Sequence, residues 1–416
     1  MAPTELSDEH VESASRRLIG SLTLTKIGDR IIDPKTVLAW FLETVGAPAA
    51  SIGLLVPVRE SGALLPQAAI SPWVASHRRR TRVWVIGALG QSLAAAGMVA
   101  VALSLRGLAA GVALVGLLAV FSVARSLCSL SIKDVMGRTI PAGGRGRVTG
   151  WADSASGLVA LTVGIGLRWV EAAPATTFAW LFVAASALWL AAIAVLVGIA
   201  EPEAEEDDQN AETFTDALLL LRDDADFRHF VLARTLLLAS ALTPPFIVIL
   251  AIEATGDAIS GLGPFVIASG LASLLGGRVW GGFADRSSRT VMAAAAGTAA
   301  LVVGMVLVVA WVGTDALWIW AVLYFLLALV HTGARVGRST YVVELGDRGA
   351  RTSYVAVSNT VMGVLLLAVG AVTSALAAAS TIAALVVLAL IGLLGVPVSL
   401  RLPETGVGAD RTSSRE

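Results

Sequence analysis

Apolar stretches of about 20 residues, the length of a membrane-crossing helix, recur along this chain from end to end. They fall near 17–41, 50–73, 83–105, 107–131, 147–169 and 176–199. A second set lies near 228–251, 261–283, 290–312, 316–338, 353–377 and 380–401. Hydrocarbon offers backbone N–H and C=O groups no partner, so each stretch is expected to be helical. Composition agrees: 56% of residues are hydrophobic and only 15% charged, against about 25% charged in a soluble domain. The expected fold class is therefore an all-α membrane protein with twelve transmembrane helices. A net charge of −1 gives no reason to expect a nucleic-acid partner. Cys128 is the single cysteine, which excludes an intrachain disulfide or a cysteine-cluster metal site.

The cations sit in alternate connections: Arg16-Arg17, then His77 to Arg82, then Lys133, Arg138, Arg145 and Arg147. Beyond the middle come Arg286 and Arg289, then Arg335, Arg338, Arg348 and Arg351, and finally Arg401. The other connections carry Arg106 and Arg168 and otherwise acids such as Glu43, Glu171, Glu253 and Asp315. Positive charge stays on the cytoplasmic side, so both termini are expected there, with an even number of spans.

The first span carries charge at its centre. Lys26, Asp29, Arg30 and Asp33 fall at i, i+3, i+4 and i+7, one face of a helix. Arg59-Glu60 lies in the middle of the second span. Each such charge costs about 2.5–3.5 kcal/mol at the bilayer centre, so six unpaired would cost roughly 15–20 kcal/mol. They must pair, face water, or both. A helix lying on the membrane surface is the alternative for residues 17–41. It would leave an odd span count and place Arg16-Arg17 outside.

The halves repeat. Ala75 to Thr81 aligns with Ala284 to Thr290, Ala124-Arg125 with Ala334-Arg335, and Arg147 to Ser154 with Arg351 to Ser358. Such matches describe parallel repeats related by an axis along the membrane normal. The expected organisation is a tail (1–16), a six-helix bundle (17–200), an acidic linker (201–226), a second six-helix bundle (227–402) and a tail (403–416). Glu201-Pro-Glu-Ala-Glu-Glu-Asp-Asp is expected to be solvated.

Gly281-Gly-Phe-Ala-Asp-Arg-Ser-Ser-Arg289, between the eighth and ninth spans, resembles the Gly-x-Leu-Ala-Asp-Arg-x-Gly-Arg-Arg loop of the major facilitator superfamily. Gly281, Ala284, Asp285, Arg286 and Arg289 match that pattern. Phe283, Ser288 and Thr290 depart from it, and the first-half copy keeps only its basic run. The chain is similar to a bacterial branch with a charged first span. The resemblance implies two pseudo-symmetric bundles rocking about a central cavity, with no cofactor and no enzymatic activity. It also implies a cytoplasmic gate at Gly281, Asp285, Arg286 and Arg289, in which Asp285 would cap a helix start. Arg125 and Arg335 are repeat-equivalent and would snorkel or pair at that gate.

Intramembrane ionisable groups mark substrate or proton pathways by default. Lys26 can lose its charge, whereas Arg30 and Arg59 are fixed cations suited to a carboxylate or phosphate. Asp29, Asp33 and Glu60 could take up protons, and His331 is a candidate relay. The other reading of the first-span charges is a face that neutralises itself along the helix. Arg234 is expected to snorkel, and Thr243-Pro244-Pro245 to interrupt span seven. No phosphate-binding Gly-x-x-x-x-Gly-Lys-Ser/Thr motif occurs.

The leading expectation is a monomeric secondary transporter of a small charged or zwitterionic solute in a bacterial inner membrane, with protons as coupling ion and lipid as its surroundings. A multidrug-type efflux antiporter and a non-transporting sensor of the same fold are the alternatives.

Overall fold

The structure is a computed structural model that describes residues 8–140, 148, 151–152, 155, 157–159, 162, 175–199, 201, 222, 224–256, 262–284, 286–345 and 351–403. Helices account for nearly all of it. In the first half these are α1 (Asp8–Ile31), α2 (Val37–Thr44), α3 (Ala49–Leu64), α4 (Pro66–Ala75), α5 (Arg80–Ser104), α6 (Gly107–Thr139) and α7 (Ala175–Leu196). In the second half come α8 (Ala225–Leu236), α9 (Leu238–Leu242), α10 (Pro244–Thr255), α11 (Leu262–Ala284), α12 (Ser288–Val312), α13 (Leu317–Leu345), α14 (Arg351–Ala379) and α15 (Thr381–Leu400). Most of the fifth expected span and of the acidic linker lies outside the described residues.

Eight helical stretches among the described residues are long and apolar enough to cross a membrane. The first two spans miss that mark because of their charges and their breaks. The first is broken where continuity was expected. Pro34 has no N–H to donate and disfavours helical geometry at the residue before it. The chain leaves the helix after Ile31, and the Asp33 carboxylate accepts the Lys35 backbone N–H at 2.7 Å. The face running from Lys26 to Asp33 is thus helical only as far as Arg30. The second span divides at Leu65-Pro66, with Pro66 opening α4. The seventh divides as expected: α9 ends at Leu242 and α10 starts on Pro244.

The repeat is visible in the packing. In the first half α5 packs on α6 and α7; in the second, the equivalent α12 packs on α13 and α15. The equivalent helices α6 and α13 begin at Gly107 and Leu317, the same 210-residue offset that relates Arg125 to Arg335. Between the halves the longest contact is α3 against α14. Glycine permits it: a Cβ on Gly370 would overlap the Pro57 ring, and one on Gly53 would sit 2.6 Å from Ser374 Oγ. There Ser61 Oγ also donates to the Gly363 carbonyl at 2.8 Å.

Apolar side chains point outward as well as inward. Leu93, Leu158, Leu301 and Leu394 are exposed, as expected of helices solvated by lipid. Exposed tryptophans gather at the two ends: Trp180, Trp311 and Trp318 at one, Trp73 and Trp151 at the arginine-rich other. Amphipathic indole rings favour the two membrane interfaces.

A charged cavity between the halves

The breaks after α1 and around α9 both open onto one cavity of ≈ 830 Å³. Its first-half lining includes Asp29, Arg30, Asp33, Lys35 and Glu60; its second-half lining includes Ser269, Tyr324, His331, Arg335 and Arg338. A broken helix tolerates such a position because the freed backbone lines a polar space rather than lipid.

Asp29 anchors the first half. Its Oδ1 accepts from Arg59 Nη2 at 2.9 Å, and its Oδ2 pairs with Arg125 Nη1. One carboxylate therefore joins α1, α3 and α6. The Arg59 guanidinium also lies 4.9 Å from the centroid of the Phe121 ring, a cation–π arrangement. These pairings run between helices, not along one helix. Arg125 accordingly departs from its expected gate position: it stands midway along α6 and serves the central layer. Lys26 is half-buried on α1 and does not line the cavity.

Arg30 and Lys35 both reach across the cavity to the second half. Arg30 Nη1 donates to Ser269 Oγ at 3.2 Å. Lys35 Nζ lies 3.9 Å from Glu60 Oε1 and 3.5 Å from His331 Nε2. On the far side of the imidazole, Nδ1 is 3.1 Å from Ser240 Oγ, whose own proton goes to the Leu237 carbonyl at 2.9 Å. Ser240 must then accept from Nδ1–H, which leaves the Nε2 lone pair facing the Lys35 ammonium. This arrangement holds a neutral imidazole. Lys35 was not among the candidates read from the sequence, and the Asp33-Pro34 pair beside it was the available signal.

Arg335 and Arg338 line the cavity from α13, and neither has a hydrogen bond or ion pair among the described residues. Arg335 is exposed and faces the cavity. Arg234 does not snorkel. It is buried and donates to Ser358 Oγ at 2.6 Å and Asn359 Oδ1 at 2.9 Å, tying α8 to α14.

The cavity is closed at the end away from the arginine-rich connections. Trp40 of α2 meets Phe265 of α11 with centroids 5.6 Å apart, and Phe265 meets Tyr324 of α13 at 5.3 Å. All three rings are buried. Tyr324 Oη also donates to the Lys35 carbonyl at 3.4 Å.

At the arginine-rich end, Gly281 lies near the end of α11, and Asp285 is outside the described residues. The cap of α12 is Ser287, whose Oγ accepts from Thr290 N–H at 3.3 Å. Arg286 is exposed, and Arg289 donates to the Leu402 carbonyl at 3.0 Å. In the first half, Arg80 Nε pairs with Asp134 Oδ2 at 3.0 Å. Glu201, expected to be solvated, is instead docked. Its carboxylate accepts the backbone N–H groups of Arg80 and Thr81, each at 2.8 Å, and the Thr81 hydroxyl at 2.6 Å. An anion at the start of α5 satisfies N–H groups that the helix cannot, and favours the helix dipole.

No family model matches the chain, and no curated protein does. Solved structures do. A crystal structure of a D-xylose–proton symporter superposes with a TM-score of 0.72 at 12% identity, covering 94% of this chain and 98% of that one. The nucleoside transporter NupG, crystallised as a point mutant, gives 0.72 at 13% identity, with 94% and 98% covered. The inward-open xylose transporter XylE from E. coli gives 0.69 at 13%, with 96% and 99% covered. The chain thus has the fold of these solved transporters: among the described residues, two helical halves with matching packing stand on either side of a central cavity.

Proposed function

We propose that this chain is a secondary active transporter that moves a small charged or zwitterionic organic solute by alternating access, coupled to protons. The observation that carries the reading is the Lys35–His331 contact, which spans the cavity between the two halves. Residues 17–200 and 227–402 are the rocking halves, joined by the linker 201–226, with tails at 1–16 and 403–416. The chain works as a monomer in a bacterial inner membrane, and both termini face the cytoplasm. The arginine-rich connections at one end support that orientation.

Coupling follows from the hydrogen bonds. The Lys35 ammonium is held between the Glu60 carboxylate and the His331 lone pair. A proton on Nε2 would set two cations face to face and release the contact between halves. A proton on Glu60 would remove the anion that holds Lys35 in place. Either event favours separation at this level, so protonation and rocking are linked.

A charged lining favours this reading over multidrug efflux. Tyr324 is the one Phe, Tyr or Trp among the described lining residues. The test is uptake into proteoliposomes of a solute first found by its effect on thermal unfolding. Glu60→Gln should abolish accumulation driven by a pH gradient while leaving solute exchange intact. Normal accumulation by that variant refutes the coupling role. Binding without flux in the unaltered protein would favour the sensor.

A further inference from the structure

The charges around the cavity do not balance. Among the described residues, Arg30, Lys35, Arg59, Arg125, Arg335 and Arg338 stand against Asp29, Asp33 and Glu60, so with His331 neutral they carry three more cations than anions. The acids are also the groups already engaged. Asp29 is shared by two arginines, Glu60 faces Lys35, and Asp33 accepts the Lys35 backbone N–H. The arginines are the reverse case. A guanidinium has five N–H donors; Arg30 uses one, on Ser269, and Arg335 and Arg338 use none on described residues. Among the described lining residues a cationic solute would find no free carboxylate pair, only repulsion.

We infer that the solute is an organic anion, bound through a carboxylate or phosphate by Arg30 from the first half and Arg335 and Arg338 from the second. Planar guanidinia present paired N–H groups that match both oxyanions. An anion held from both sides offsets the excess positive charge between the halves. It also ties together the halves that must rock, so binding favours the closed state over the open one. This inference rests on the transporter reading for the word solute; the anion site itself does not.

The test uses the purified full chain and thermal unfolding with succinate and glycerol 3-phosphate as anionic probes, putrescine as the cation, glycine as the zwitterion and glucose as the neutral solute. The anions should raise the unfolding temperature and the others should not. The stronger of the two anions identifies the headgroup as carboxylate or phosphate. Arg30→Gln and the Arg335→Gln/Arg338→Gln pair should each weaken that binding by about tenfold or more, the worth of one lost charged hydrogen bond. Without probe the Arg335→Gln/Arg338→Gln pair should unfold no earlier than the parent, because it relieves the excess of like charge, and a misfolded variant would fail that control; Arg30→Gln also loses the Ser269 bond and is judged by its response to the probes alone. Stabilisation by putrescine, glycine or glucose with the anions inert, or no response to any anion, overturns the inference. Counterflow in proteoliposomes separates the two claims. Anion binding without exchange keeps the site and overturns the transporter reading, whereas exchange of a non-anion keeps the transporter and overturns the anion.

Discussion

Replacing Asp29 by Asn tests the arrangement at the core of the first half. Asp29 contacts both Arg59 and Arg125, and its side chain is 17% exposed against 11% and 36% for theirs. Asn keeps the shape but leaves two guanidinia facing each other. Breaking a buried pair by removing one partner costs about 3–5 kcal/mol. Arg125 is only partly buried, so the lower end, about 3 kcal/mol, is the fitting value. For a chain of this length that lowers the unfolding temperature by on the order of 5 °C. Arg125→Gln should cost far less, under about 1 kcal/mol, because it leaves a neutral Asp29–Arg59 pair and removes the more exposed cation. Arg59→Gln should fall between them, since it also loses the Phe121 contact. Thermal unfolding of the three variants in one detergent, followed by tryptophan fluorescence, gives the order directly. Asp29→Asn matching the parent, or Arg125→Gln costing more than Asp29→Asn, would refute the shared-carboxylate account.

Three further outcomes follow from packing. Gly370→Leu forces a side chain into the Pro57 ring and should destabilise the protein by about 1–3 kcal/mol, measured by thermal unfolding; an unchanged midpoint would mean α3 and α14 are not in close contact. Trp40→Ala removes a fully buried ring from the seal, which should cost about 3–5 kcal/mol and raise solvent exchange at the Lys35 break by hydrogen–deuterium exchange. Glu201→Ala removes the acceptor at the start of α5. It should cost about 1 kcal/mol and speed exchange at Arg80 and Thr81 without altering residues near Lys35.

How far the sequence could be read depended on the range of the interactions involved. Apolar length and cation placement are summed over many residues, so the spans and the two halves were legible. Pro244 and Pro245 announced the break in span seven, and Asp33-Pro34 offered the same signal for span one. There the charge pattern suggested an unbroken helical face, and proline chemistry prevailed. Pairing was not legible. Asp29 lies 30 residues from Arg59 and 96 from Arg125, whereas helical spacing points only to neighbours at i+3 and i+4. Repeat equivalence linked Arg125 to Arg335 but could not show that one binds a carboxylate while the other faces open cavity. Glu201 read as part of an acidic run, since nothing local marks it as the acceptor for a helix start more than 100 residues earlier.

The central claim is that the halves rock about the Lys35–His331 level. Distances between spin labels at Ser76→Cys and Arg286→Cys, exposed positions on the two halves at the arginine-rich end, report that motion. Alternating access predicts two distance populations whose ratio shifts with pH and with bound solute, and a loss of the pH response in His331→Gln/Glu60→Gln. A single distribution, unmoved by pH and solute, would contradict it.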